Sequence, residues 1–257
     1  AESCSPASVE NIGHAAPHMT PATADVPSTS TAQKAVQVAS QIIAVDLLRT
    51  FPSHPFFNGA SAPLIEPLQR VLLAFTVHHP HVGYCQGLNF VAGLMLLHGD
   101  EADAFALLCT LCERVLPGYH QPDMEGLHTA QAALLAVLGR TTPRTIERLR
   151  GEGVPIKEQT TGWLLCAFID ALSLEATLRV WDLLFADGQV ALIRAAASAF
   201  ALHEERLLAA EPREVFDLGI VLDCDAGCLM AASLRHELQT ITMAALAEAT
   251  EEALQAN

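Results

Sequence analysis

From Val36 onward, apolar residues recur at helical spacing. Val36, Ala39, Ile43 and Leu47 share one face, and Pro52 follows where that helix should stop. A loop with His54, Pro55 and Gly59 comes next. The stretch from Ala62 to His78 predicts a second helix, with Pro63 near its start and Leu64, Leu68, Val71, Leu72 and Phe75 on one side. Gln86 to Leu97 is almost wholly apolar and predicts a helix buried all round, broken by Gly99 and Asp100. The rhythm continues through Glu101–Leu116, Leu127–Leu138, Pro143–Arg150, Gln159–Leu172, Leu174–Ala186, Gln189–Leu208 and two further segments. Pro117 and Gly118 punctuate it, as do Thr141, Thr142 and Pro143, where Thr142 is a plausible N-cap. Few stretches alternate with β-branched enrichment, and no repeat period is visible. The expected fold is all-α, about ten short helices in a single domain.

Residues 1 to about 35 break this pattern. They are rich in Ala, Ser, Thr and Pro and lack aromatic residues, which predicts a low-complexity, disordered linker or tail. The expected organisation is this tail over 1–35, a helical domain over 36–235, and a C-terminal helix over 236–257 continuing the domain.

Composition agrees with a buried core: of 257 residues, 51% are hydrophobic and 17% charged, with a mean hydropathy of +0.31. Fourteen basic against twenty-nine acidic residues leave a charge of −15, which repels polyanions and argues against nucleic acid and anionic lipid as partners. The longest stretch without Asp, Glu, Lys or Arg, Val71 to Gly99, is not read as a transmembrane span. His78, His79, His81, Gln86 and Asn89 would be stranded at mid-bilayer. No secretory signal is visible, and a start at Ala1 rather than Met suggests a processed or excerpted chain. Seven scattered cysteines do not resemble a disulfide framework and point to a reducing, cytoplasmic setting.

Three segments carry candidate chemistry. In the first, Asp46 and Arg49 are helix-surface neighbours, with Arg49 at the C-terminal end before Thr50, Phe51 and Pro52. An ordinary surface ion pair explains the two residues taken alone. The sharper reading is an arginine, braced by Asp46, that projects toward a phosphate. In the second, Gly83 and Gly87 bracket Tyr84, Cys85 and Gln86, a tight turn before the apolar helix that holds Asn89. The Gln86 amide both donates and accepts, as orienting a water requires, although satisfying turn backbone would explain it too. In the third, Trp181, Leu184 and Phe185 are expected as core anchors and Gly188 as a helix terminator.

Taken together and in order, these motifs resemble the TBC-domain family of Rab GTPase-activating proteins. The residues concerned are Ile43, Asp46, Arg49, Thr50, Phe51 and Pro52; then Val82 through Asn89; then Trp163 ahead of Leu178, Arg179, Val180, Trp181 and Asp182. The stretch from Gly118 through Met124, Glu125, Gly126 and Leu127 to Pro143 is similar to the family's middle region. The likeness covers roughly residues 36 to 235.

The resemblance implies an all-helical domain that binds a Rab-family small GTPase in its GTP state and completes its active site. The chain would be an activator rather than an enzyme on its own, acting in vesicle trafficking and intracellular protein transport. Arg49 matches the family's arginine finger and Gln86 its glutamine finger. Asp46 would hold Arg49, Tyr84 and Asn89 would support the glutamine turn, and Thr50 would help to fix the loop. No cofactor or metal of its own is implied; GTP and Mg²⁺ would be bound by the partner. A cytoplasmic location follows, with peripheral recruitment to organelle endomembranes left open. One departure stands out: both tryptophans lie far downstream, and the Ala/Ser/Pro tract occupies the place of the family's Arg- and Trp-containing first helix. That motivates an alternative, a scaffold module that binds a GTPase without accelerating it.

Other clusters are read as structural. Cys109 and Cys112 are expected as core packing, and Cys224 and Cys228 lie too far away to complete a zinc site with them. His78, His79 and His81 are expected in a solvated loop, Cys85 as a packing residue, and Glu248, Glu251 and Glu252 on the exposed face of a last helix. No glycine-rich phosphate loop occurs, so no ATP or NAD site is expected.

Overall fold

Apolar stripes at the predicted spacing close against one another. A computed structural model of the chain describes residues 29–216 and 218–233, and no strand occurs among the described residues. Helix α1 (Thr29–Leu47) buries Ala39, Ile43 and Leu47 against α2 (Ile65–His78), which turns Leu68, Val71, Leu72 and Phe75 inward. Both pack on α3 (Leu88–Leu96), the central element of this half, with only Phe90 left half-exposed. Helix α4 (Glu101–Thr110) covers α2 and α3. Asp100 caps it, its carboxylate accepting from the backbone N–H groups of Ala102 and Asp103 at 2.9 Å each. A bidentate pair from Arg70 to Glu101, at 2.7 and 2.8 Å, ties α2 to the start of α4.

α4 runs into a single π-helical turn, Leu111–Val115, which Leu116 closes by donating to the Leu111 carbonyl at 2.7 Å. Such turns insert one residue into a helix and frequently accompany functional loci. The remaining helices are α5 (Glu125–Thr141), α6 (Pro143–Gly151), α7 (Ile156–Leu165), α8 (Leu174–Asp187), α9 (Val190–Leu202), α10 (Glu204–Ala209), α11 (Pro212–Val215), α12 (Gly219–Leu222) and α13 (Ala226–Ser233). Helix α9, rich in alanine and buried almost all round, is the centre of this half, with α5, α8, α12 and α13 against it. Burying a Leu or Phe side chain contributes about 1.5–3 kcal/mol, so the fully buried Leu68, Phe75, Leu192 and Phe200 anchor the two halves.

Several expectations change. α1 begins at Thr29, seven residues before Val36, so the end of the segment expected to be a disordered tail is helical. The expected C-terminal helix over 236–257, with its three glutamates, lies outside the described residues. Thr142 sits at the N-cap of α6 but does not cap it. Its hydroxyl donates back to the Leu138 carbonyl at 3.2 Å, and Pro143 at the first helical position needs no acceptor.

The helix expected over Gln159–Leu172 stops at Leu165, and the backbone just beyond it is tied to α8. The Trp181 indole N–H donates to the Ala167 carbonyl at 3.0 Å, and the Thr177 hydroxyl donates to that of Phe168 at 3.2 Å. Ala167 and Phe168 take positive φ, at 46° and 66°, to present them. Trp181 and Leu184 are buried as expected, but Phe185 is 38% exposed and is no core anchor. Gly188 ends α8 at φ 73°, as expected of a terminator.

Candidate functional site

Asp46 lies in the last turn of α1 and is buried, while Arg49, three residues on, has passed the end of the helix. The Arg49 guanidinium meets Asp46 Oδ1 at 2.8 Å, with side-chain exposures of 45% and 3%. A buried carboxylate of this kind must be paired, and a cation at a helix C-terminus is further favoured by the helix dipole. The Arg49 guanidinium is therefore held through one terminal nitrogen, while the side chain stays 45% exposed.

The second oxygen of Asp46 is taken by the other motif. Tyr84 Oη donates to Asp46 Oδ2 at 2.6 Å. Burial, and then this bond, hold the phenol's pKa well above the ordinary tyrosine range, so Tyr84 remains a donor. Tyr84 Oη also lies 3.3 Å from Asn89 Oδ1, a longer contact beside the stronger bond to the carboxylate.

Asn89 closes the circuit. Its Nδ2 donates to Thr50 Oγ1 at 2.8 Å, and Thr50 Oγ1 donates to the Asp46 carbonyl at 2.8 Å. Asn89 Oδ1 accepts the Gly87 backbone N–H at 3.1 Å. Asp46, Thr50 and Asn89 are all buried, and each polar side chain has a partner. The end of α1 and the turn before α3 are thereby held as one unit.

Gly87 gives that turn its shape. At φ 110° it occupies a conformation that side chains resist, and a Cβ there would come within 3.0 Å of Cys166 Sγ. Gln86, immediately before it, is exposed. Cys85 is half-buried, with its thiol pushed up to about 11 by burial, which suits packing and not a nucleophile.

The six residues singled out in the sequence thus fall at one place. Five of them, Asp46, Arg49, Thr50, Tyr84 and Asn89, are joined by hydrogen bonds or ion pairing, and Gln86 is presented beside them. Two further contributors have weak sequence signals. Phe51, at φ 43°, turns the chain sharply after Thr50, and its ring meets Phe57 and Phe90 edge-on at 5.6 and 5.8 Å. Gly93 admits this loop against α3: a Cβ would lie 3.1 Å from both Phe51 and Thr50 side-chain carbons. A glycine inside an apolar helix is the one signal that could have marked the approach.

The chemistry available is a partly exposed guanidinium paired with a buried carboxylate and the amide of an exposed glutamine on the adjoining turn. The first complements phosphate charge and the second a water. Val38, Ile42 and Val45 are exposed on the turns of α1 leading to Arg49, and Leu48 and Phe56 are exposed nearby in sequence. Cys109 is half-buried and Cys112 buried, as expected. His79 departs from expectation: it is buried at the C-terminal end of α2, not in a solvated loop, while His78 and His81 are exposed. Its Nε2 lies 3.3 Å from Glu113 Oε1 without hydrogen-bond geometry, and it is the one buried side-chain N or O atom among the described residues that lacks a partner.

No helix among the described residues is long and apolar enough to cross a membrane. The family model for the Rab-GTPase-TBC domain matches residues 19–208. Growth hormone-regulated TBC protein 1 of Rattus norvegicus is 34% identical over 221 residues, covering 82% of this chain and 76% of that protein. The Homo sapiens protein of the same name is 38% identical over 170 residues, covering 65% and 51%. The chain thus spans about half the length of several relatives it matches. Among solved structures, the Chlamydomonas flagellar RabGAP TBC domain superposes with a TM-score of 0.66 at 28% identity, covering 81% of this chain and 73% of that one. The Ypt/Rab-GAP domain of Gyp1p superposes with a TM-score of 0.63 at 16% identity, covering 89% and 80%, and shows the shared fold. Sequence, fold and the joined motifs agree that this chain belongs to the Rab-GTPase-TBC domain family.

Proposed function

We propose that this chain accelerates GTP hydrolysis by a Rab-family small GTPase, inserting Arg49 and Gln86 into the partner's active site. The observation that carries the reading is the bond from Tyr84 to Asp46, which ties the carboxylate that pairs with Arg49 to the turn carrying Gln86. Phosphoryl transfer needs little covalent help from the protein, so positioned charge and positioned water dominate its catalysis. The Arg49 guanidinium neutralises charge developing on the γ-phosphoryl oxygens. The Gln86 amide accepts from the attacking water and donates to a phosphoryl oxygen, aligning the two.

GTP and Mg²⁺ belong to the partner, and the chain takes part in no covalent step. The exposed apolar residues of α1 near Arg49 supply a desolvating contact for the partner's surface. A cytoplasmic activator in vesicle trafficking, recruited to endomembranes through its partner, is the corresponding cellular role.

Phosphate release from a panel of GTP-loaded Rab proteins tests this reading. The expected outcome is acceleration of at least one member, with a loss of about 10³-fold or more in Arg49→Ala, the scale typical of arginine fingers. A chain that binds GTP-loaded Rab proteins without accelerating any of them would be a scaffold instead.

A further inference from the structure

Behind the glutamine turn lies a cluster that the activator chemistry does not use. One ring nitrogen each from His78 and His79 and the Cys109 Sγ lie within 4.8 Å of one another. His78 and His79 end α2, and Cys109 is in the last turn of α4, so two packed helices converge on the spot. Glu113, on the π-helical turn, brings Oε1 to 3.3 Å from His79 Nε2. Burial holds the His79 ring below the ordinary imidazole range, with Glu113 opposing it in part, and burial together with Glu113 pushes the Cys109 thiol up.

The second observation is the unpartnered nitrogen. His79 has a side-chain exposure of only 5%, and its Nε2 has no hydrogen-bond partner. Buried imidazole nitrogens are almost always satisfied, and one left open beside a carboxylate, on a ring that converges with a second imidazole and a thiol, asks for an acceptor of electron pairs. Neighbouring groups offer no better answer. Cys112 Sγ is engaged with His120 Nδ1 at 3.7 Å, and the His78 and His81 rings meet the His79 ring edge-on, at centroid distances of 4.7 and 5.7 Å.

We propose that His78, His79 and Cys109, with Glu113 as the carboxylate, form a binding site for a zinc-class divalent metal ion. Mixed nitrogen and sulfur donors suit a borderline-soft ion and disfavour magnesium or calcium. In a tetrahedral site the donors stand roughly 3.3–3.8 Å apart, from metal–nitrogen distances of about 2.0–2.1 Å and metal–sulfur distances of about 2.3 Å. The three donor atoms already lie within 4.8 Å of one another, so reaching that spacing needs shifts of at most about 1–1.5 Å, shared between side-chain rotation of the exposed His78 and small adjustments of Cys109 and His79. On binding, Cys109 releases its thiol proton to solvent and the thiolate lone pair enters the metal–sulfur bond, with no change in oxidation state.

The ion would clamp the root of the glutamine turn. The His79 carbonyl accepts the backbone N–H groups of Val82 and Gly83, at 3.0 and 2.9 Å, and Tyr84 follows directly. Holding the His79 ring therefore holds the residue from which the turn departs.

The experiment titrates the chelator-stripped full chain with Co²⁺ and then Zn²⁺, following absorbance. The site predicts one Co²⁺ per chain, tetrahedral d–d bands, a sulfur-to-cobalt charge-transfer band in the near ultraviolet, and displacement by Zn²⁺. Cys109→Ser should abolish the charge-transfer band. His78→Ala, at an exposed position that leaves folding intact, should weaken affinity at least tenfold. Amide exchange at Val82 and Gly83 should slow on Zn²⁺ addition in wild type and not in His78→Ala. Absence of stoichiometric binding, or a charge-transfer band that persists in Cys109→Ser, would overturn the proposal. None of these readouts involves a GTPase, so they fail or succeed independently of the activator reading.

Discussion

Tyr84 Oη donates to Asp46 Oδ2 at 2.6 Å, bridging residues 38 apart in sequence that belong to two separate motifs. Asp46 is thereby shared between a phenol and the Arg49 guanidinium, one oxygen to each. Tyr84→Phe removes the phenol and leaves the ring. Asp46 retains Arg49, so the stability cost should be modest, about 1–2 kcal/mol, readable by urea denaturation. The rate of stimulated GTP hydrolysis at saturating partner should fall about tenfold or more, because positioning is lost while the docking surface is kept.

Asn89 serves two elements at once. Its replacement by Ala strips Thr50 Oγ1 of a donor and the Gly87 N–H of an acceptor in a buried site. Orphaned buried polar groups cost about 1–3 kcal/mol each. Asn89→Ala should therefore lower unfolding free energy by about 2–4 kcal/mol in denaturant melts, and activity should drop even in the remaining folded protein.

Two glycine substitutions should move stability in opposite directions. Gly87→Ala must adopt φ near 110° and crowd Cys166 Sγ at 3.0 Å, so it should destabilise by more than about 1 kcal/mol. Gly139, an exposed position in α5 where an added Cβ would have nothing within 4 Å, should gain about 0.5–1 kcal/mol on replacement by Ala. Paired thermal melts of the two variants check the contrast.

Stability should also depend on mild acidity through His120. Burial pushes its pKa down from the ordinary imidazole value of 6.5 to about 4. Its Nε2 faces the Leu165 carbonyl at 3.0 Å, which places the proton there and leaves Nδ1 to the Cys112 thiol. The folded state resists a proton that the unfolded chain accepts, so this contribution is complete above about pH 6.5 and is lost as pH falls toward 4. The total is about 3 kcal/mol. His120→Gln keeps a donor for Leu165 and cannot titrate in this range, so its denaturation midpoint should fall less between pH 7.5 and 4.5 than that of the wild type.

The helical periodicity was legible because a stripe such as Leu68, Val71, Leu72 and Phe75 reports its burial locally. The candidate site was legible as residue types at fixed spacing, Asp46 before Arg49 and Tyr84 before Gln86. What stayed hidden depends on partners distant in the chain. Nothing near Cys166 announces that α7 will end at Leu165 or that Trp181 and Thr177 will donate to the carbonyls of Ala167 and Phe168 beyond it. Phe185 is apolar in a helical stripe, yet the turn it occupies lies at the surface. His79 reads as part of a polar histidine loop, and only the packing of α2 against α4 buries it beside Glu113. The start of α1 at Thr29 was obscured by a composition suggestive of a tail.

The most direct test of the central claim uses a Rab whose own water-positioning glutamine has been replaced by Leu. If Gln86 supplies that amide in trans, this chain should still accelerate hydrolysis by the altered Rab in single-turnover phosphate release, by a factor close to that for the unaltered Rab. Gln86→Ala should abolish the acceleration in both. Loss of acceleration on the altered Rab, together with full activity of Gln86→Ala on the unaltered one, would contradict the account.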